Sequence, residues 1–108
     1  MTLAVGDATF DAEVLGSDVP VVVDFWAEWC APCRVLTPVL DELAATYAGR
    51  VRFVAVDADA NPGLVERFGI VSLPTVQFYA GGELADVLYG ARPTTMLVER
   101  LEAVLAAA

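Results

Sequence analysis

Residues 29 to 33 read Trp-Cys-Ala-Pro-Cys, and Cys30 and Cys33 are the only cysteines in the 108-residue chain. Side chains three positions apart at the start of a helix share a face, with Cβ atoms about 5–6 Å apart. A disulfide needs about 3.5–4.5 Å between Cβ atoms, so a small local adjustment closes the bond and another reopens it. Such a pair suits reversible thiol–disulfide exchange better than permanent cross-linking. Cys30 follows the apolar run Val21-Val22-Val23-Asp24-Phe25-Trp26, which places it at a strand-to-helix junction. There the first unpaired N–H groups and the positive end of the helix dipole favour a thiolate. Cys33 lies one turn in, and its sulfur is expected to be the more buried. The asymmetry predicts roles: Cys30 attacks a target disulfide and Cys33 resolves the mixed disulfide. A zinc half-site and an inert disulfide are the competing uses of the pair. Four zinc ligands cannot come from two Cys and no His without carboxylates or a second chain, so no metal is expected.

Asp24 is the most informative residue outside this motif. In a strand its side chain shares a face with Val22 and Trp26, inside what should be core, and no cation stands near it in sequence. Burial without a partner raises a carboxyl pKa, which would match it to exchange a proton with the thiol of Cys33. The competing reading is a core polar group satisfied by hydroxyls or water. The chain has no His, so acid–base chemistry must use a carboxylate, a thiol, water or the backbone.

The elements that position these residues alternate in type. A brief N-terminal strand is followed by a short helix around Thr9 to Leu15. Pro20 to Trp26 is a buried strand by its β-branched run. Val35, Leu36, Val39, Leu40, Leu43 and Tyr47 repeat with helical spacing over Pro32 to Tyr47, and Gly49 ends that helix. Pro32 fits the first helical turn and stiffens the dithiol loop, whereas Pro38 removes an N–H from the interior and bends the axis. Arg50 to Asp57 is a second strand, so this strand–helix–strand unit is a parallel crossover. Asn61-Pro62 opens a short helix with Asn as its cap. Thr75 to Ala80 and Glu83 to Tyr89 form a hairpin through Gly81-Gly82, and an amphipathic helix runs from Pro93 to about Ala106. These elements make an α/β layer fold: a mixed sheet, parallel in its centre and antiparallel at one edge, with helices on both faces.

Length bounds the chain to one domain, residues 1–108. Hydrophobic residues make up 57% of it, yet no run approaches the roughly 18 residues that span a bilayer. Met1 to Asp11 has no basic flank and no apolar stretch of signal-peptide length, which predicts a cytoplasmic protein. A CxxC pair in that compartment is more often catalytic or metal-binding than structural. Six Arg, no Lys and a net charge of −9 argue against nucleic acid as a partner and fit a role in solubility. Nothing in the chain demands more than a monomer.

The stretch Val23-Asp24-Phe25-Trp26-Ala27-Glu28-Trp29-Cys30-Ala31-Pro32-Cys33 resembles the active-site segment of the thioredoxin family. Further matches follow in order at Pro38, Asp59 to Pro62, Phe68-Gly69-Ile70, Leu73-Pro74-Thr75, Gly82 and Gly90. The resemblance implies a five-stranded mixed sheet flanked by four helices, with no bound cofactor besides the redox-active Cys30–Cys33 pair. It implies oxidised proteins as substrates and re-reduction by an NADPH-dependent thioredoxin reductase. It further implies a cis peptide before Pro74, packed against the dithiol, leaving the Leu73 backbone free to pair with an extended peptide. Trp29, Ala31, Pro32, Leu73, Gly90 and Ala91 would form the apolar docking surface, with Trp26 packed beneath it.

Two departures from the family pattern stand out. Ala31 replaces the usual Gly, a stiffer choice that should shift redox poise or substrate fit modestly. Ala55 stands where many relatives carry a Lys beside the buried Asp, which should leave the Asp24 pKa higher still. Two other activities fit the same motif. A disulfide oxidase or isomerase typically has His before the second Cys, and Pro32 argues against it. A thiol-gated binding subunit would use the same docking surface without turnover.

Overall fold

A computed structural model describes residues 2–108, so Met1 of the expected 1–108 domain lies outside the described residues. The chain runs β1 (Leu3–Ala4), a five-residue π-helical segment (Asp11–Leu15), β2 (Val21–Trp26), α1 (Ala31–Thr46), β3 (Arg52–Asp57), α2 (Pro62–Phe68), β4 (Thr75–Ala80), β5 (Glu83–Tyr89) and α3 (Thr94–Ala107). The strands form one sheet in the order β1-β3-β2-β4-β5. β1, β3 and β2 are parallel, and β4 and β5 complete the sheet antiparallel. This is the expected five-stranded mixed sheet with four helical segments.

β2 takes the centre because its residues Val21 to Phe25 are buried on both faces. The period-2 alternation of a strand divides them between two cores. Val22 joins Phe53, Val76, Phe78 and Leu88 in packing against Leu36 and Leu40 of α1 and Leu97 and Leu101 of α3. Val21, Val23 and Phe25 turn the other way, with Val54 and Val56, onto Phe10, Val14 and Leu64. Asp24 falls on the α1 face by the same alternation, which is why a carboxylate ends up beneath the helix that carries the cysteines.

Several local expectations change. The first helix is shorter and wider than anticipated: it spans Asp11–Leu15, and the Gly16 N–H reaches back five residues to the Asp11 carbonyl at 2.9 Å, the signature of a π-turn. Val35, counted with the apolar stripe of α1, is exposed, whereas Leu36, Leu40, Leu43 and Tyr47 are buried. The buried four recur at helical spacing, and Val35 lies just off their stripe on the solvent side. α1 continues through Pro38. Gly81 and Gly82 both adopt positive φ, +60° and +79°, as a tight two-residue hairpin turn demands. The register then slips between Phe78 and Tyr79, whose partners are Asp86 and Leu84, a bulge that no sequence signal announced.

Asn61 occupies the capping position of α2, but its side chain does not cap the helix. Its amide instead donates to the Asp57 carbonyl and its oxygen accepts from the Asp7 N–H, both at 2.9 Å. The cap comes from Asp7, fifty-seven positions before Leu64: its carboxylate accepts the N–H of Leu64 at 2.9 Å and that of Gly63 at 3.3 Å. A charged acceptor suits the positive end of a helix better than a neutral amide does. Asp7→Ala is therefore expected to cost about 1 kcal/mol of stability, read as a lower denaturant midpoint at unchanged slope. An unchanged midpoint would show that α2 does not depend on this cap.

Candidate active site

Cys30 is the residue at which extended backbone turns into helix. With φ −88° and ψ 104° it caps α1, and its sulfur accepts the Cys33 N–H at 3.2 Å. One of the orphan donors of the first turn is thereby spent on the sulfur, the arrangement that stabilises negative charge there. Cys30 and Cys33 are disulfide-bonded, with Cα atoms 5.3 Å apart. Both are buried, at 4% and 2% exposure, so the expected contrast in burial is slight. They form a small apolar cluster with Ala27, against which Trp26 and Leu73 pack. Ala31 and Pro32 are exposed at the start of α1, where the missing proline N–H costs nothing.

Around the disulfide the chain brings in the other anticipated positions from three loops. The Leu73–Pro74 peptide is cis, Leu73 touches the cysteine cluster, and Pro74 is buried. The Gly90 N–H donates to the Pro74 carbonyl at 2.8 Å, tying the end of β5 to this turn. Gly90 has φ +83°, and a Cβ placed on it would meet nothing within 4 Å, so the space in front of it is open. Ala91 is exposed beside it. Trp29 is 68% exposed, yet its indole N–H donates to the Asp59 carboxylate at 2.9 Å. Asp59 is a positioning residue that sequence reasoning missed, because nothing local marks a contact thirty residues away. Val35, counted with the apolar stripe from sequence, is exposed, as is Val71.

Asp24 is 3% exposed and no protein group donates a hydrogen bond to its Oδ1. Burial, and secondarily the negative charge of Asp41, push its pKa up to about 7. Asp24 lines a cavity of about 430 Å³ beneath α1. Trp26 and Thr37 line both this cavity and a smaller hollow bordered by Cys33, and so stand between the carboxyl and the dithiol. Among the described residues no group of three or more His, Cys, Asp or Glu is arranged to hold a metal ion.

The geometry thus joins a redox-active disulfide at a helix start, a carboxyl able to titrate near neutrality and an exposed rim of small and apolar residues. The family model described as Thioredoxin matches residues 1–103. The chain is 50% identical to Thioredoxin 1 of Nostoc sp. over 98 residues, covering 91% of this chain and 92% of that one. It is 46% identical to the thioredoxin of Synechocystis sp. over 101 residues, 94% of each chain. A chloroplastic M-type thioredoxin of Pisum sativum is 45% identical over 98 residues, 91% of this chain and 57% of that protein. The chain therefore belongs to the thioredoxin family and is a protein-disulfide reductase built on a CxxC redox pair.

Proposed function

We propose that Cys30 is the attacking thiol and Cys33 the resolving one. The observation that carries this assignment is the Cys30 sulfur at the cap of α1, holding the Cys33 N–H. In the reduced protein the Cys30 thiolate attacks one sulfur of a target disulfide, forming a mixed disulfide and expelling the first target thiolate. Cys33, deprotonated, then attacks the Cys30 sulfur and expels the second. The two target sulfurs gain two electrons and two protons, and the protein is left with its own disulfide. Asp24, titrating near 7, takes the Cys33 proton through water past Trp26 and Thr37. An extended segment of the target lies along Trp29, Ala31, Pro32, Leu73, Pro74, Gly90 and Ala91, pairing its backbone with that of Leu73. The open space at Gly90 supports such a close approach.

Members of the family are reduced by thioredoxin reductase. An NADPH-dependent enzyme of that kind is the proposed electron source here, and a monomer of one domain in the cytoplasm is the proposed working form. No helix among the described residues is long and apolar enough to cross a membrane, which is compatible with that location.

The equilibrium reduction potential of the pair, followed by tryptophan fluorescence in thiol buffers, is the first test. A value near −270 mV, taken over from the family, is expected; one near −180 mV would make the protein an oxidant or isomerase (both approximate). Role assignment has its own readout. Cys33→Ser should accumulate a covalent adduct with an oxidised protein substrate, and Cys30→Ser should abolish both adduct and turnover. A Cys30→Ser variant that still sustained its partner's activity would favour the binding-subunit reading.

The raised pKa also makes a stability prediction. Asp24 binds its proton more tightly folded than unfolded, so its contribution is fully present below about pH 4 and is lost as pH rises through about 7. The whole loss is about 4 kcal/mol. Asp24→Asn does not titrate, and its stability relative to the parent should rise by about 2–3 kcal/mol between pH 5 and pH 8. An equal difference at both pH values would show that Asp24 ionises normally.

A further inference from the structure

Three of the six arginines are matched to carboxylates: Arg52 to Glu13, Arg67 to Asp11 and Arg100 to Asp86. Arg50 lies over the Tyr47 ring, 5.2 Å from its centre, and Arg34 is turned to the Glu28 carbonyl. Arg92 has different surroundings. It is exposed, and its Nε–H donates to the Tyr89 carbonyl at 2.8 Å, so the side chain folds back over the turn at Gly90 and Ala91. The Tyr89–Gly90 peptide is thereby held at both ends, its carbonyl by Arg92 and its N–H by the Pro74 carbonyl. The guanidinium sits across that one peptide from the cis turn at Leu73–Pro74. Among the described residues no carboxylate pairs with it, and Nε supplies its one hydrogen bond to the protein.

The stretches that build this side of the site carry no other charge. Residues 69–82, which include the cis turn, have no Asp, Glu, Lys or Arg, and residues 87–98 have Arg92 alone. The Trp29 side differs. Glu28 and Asp59 are both exposed there, Asp59 accepting the Trp29 indole N–H and Arg34 bonding the Glu28 carbonyl. In a chain of net charge −9, an unneutralised cation thus stands at the Gly90 end of the rim and carboxylates stand at the Trp29 end. A guanidinium with its terminal N–H fork free is the side chain best shaped to take a carboxylate, through two parallel hydrogen bonds.

We propose that Arg92 is a specificity-determining residue, taking the carboxylate of an Asp or Glu on the part of the extended target segment that runs past Gly90. The inference rests on the path proposed above for that segment along Leu73 and Gly90. Because the cation stands at one end of the rim, the acidic residue lies on one side of the target cysteine only, and the contact sets the direction of the segment as well as selecting it. The field of the whole chain has the opposite sign: a net negative molecule repels an added carboxylate. A preference for acidic segments therefore requires a local cation, and overall charge cannot imitate it.

The test uses symmetric disulfides of a short neutral peptide, with Asp or Asn at successive positions on either side of its cysteine. Second-order rates of oxidation of the reduced protein are followed by tryptophan fluorescence. Each Asp-to-Asn ratio is divided by the ratio found with dithiothreitol as reductant, which removes the intrinsic effect of a carboxylate on the peptide thiol. The expected preference for Asp is about two- to fivefold, the range of an exposed ion pair, on one side of the cysteine only and fading at high salt. Arg92→Lys, which keeps the charge without the fork, should retain part of it. Arg92→Gln should bring the ratio to one or below, and Arg92→Glu should favour Lys-bearing peptides, a reversal that loss of the tie to Tyr89 does not produce. A ratio of one or below at every position in the parent protein, or a preference for Asp that survives Arg92→Gln, would overturn the assignment. The path of the segment has its own readout: the Leu73 and Gly90 amide resonances in the peptide adduct formed on Cys30 of the Cys33→Ser variant. If these shift while Asp brings no preference, the path stands and the role of Arg92 fails. If they do not shift while an Arg92-dependent preference is seen, the role stands and the path fails.

Discussion

The hydrogen bond from the Cys33 N–H to the Cys30 sulfur can form only if α1 begins where it does, and the rest of the molecule fixes that point. β2 is held between β3 and β4 and buried on both faces, so it cannot slide in register without moving every apolar side chain to the wrong layer. β3 is carried past its end by the Ala58 N–H on the Trp26 carbonyl at 2.8 Å. The chain then turns through Ala27, whose carbonyl accepts the Cys30 N–H at 3.1 Å. From the other side, Leu36, Leu40 and Leu43 seat α1 on the sheet. The first turn of the helix is thus aimed by two packed layers. A reactive sulfur placed at this junction inherits a fixed direction without strain of its own.

The same layering imposes a cost. A side chain at position 24 must point under α1, and an aliphatic residue there would extend the core of Val22, Val76 and Leu88. A carboxyl instead leaves an oxygen to which no protein group donates and an open space beside Ala4 and Ala55. At acid pH the neutral form limits the penalty to a missing hydrogen bond; above neutrality the charged form adds the cost of burying an ion. The chain has no His, so the side chain whose unperturbed pKa lies nearest neutrality is missing and a buried carboxyl can stand in for it. Local instability and a usable proton acceptor are here the same physical fact.

How much of this was legible depends on the range of the interactions involved. The dithiol, its place at a helix start, the hairpin glycines and the burial of Asp24 are local or follow from alternation, and they read directly from spacing. The five-stranded count and the cis peptide before Pro74 came from the resemblance, since nothing in composition pairs that loop with residue 30. The capping of α2 by Asp7, the anchoring of Trp29 by Asp59 and the bulge opposite Phe78 were not legible. Each joins segments that pattern reading treats separately, and in the first case a nearby Asn offered a plausible local answer. Val35 shows the converse error: periodicity identifies an apolar stripe but not its width, and the edge of the stripe is decided by what the sheet covers.

The rim of the site sets a further physical condition on recognition. The chain carries a net charge of −9, but Trp29, Ala31, Pro32 and Ala91, the exposed residues of the proposed rim, are uncharged and mostly apolar. Arg34, the nearest cation along the chain, is turned to the Glu28 carbonyl at 2.6 Å, where it ties the loop before the dithiol to α1. Apolar patches and free backbone discriminate poorly between one target sequence and another, because they read shape and hydrogen-bonding geometry rather than charge. The acidic remainder supplies repulsion from like-charged surfaces outside the rim. If extended segments lie against Leu73 and Gly90 as proposed, selection works chiefly by exclusion: what separates them is whether the protein behind the segment can approach a negative molecule.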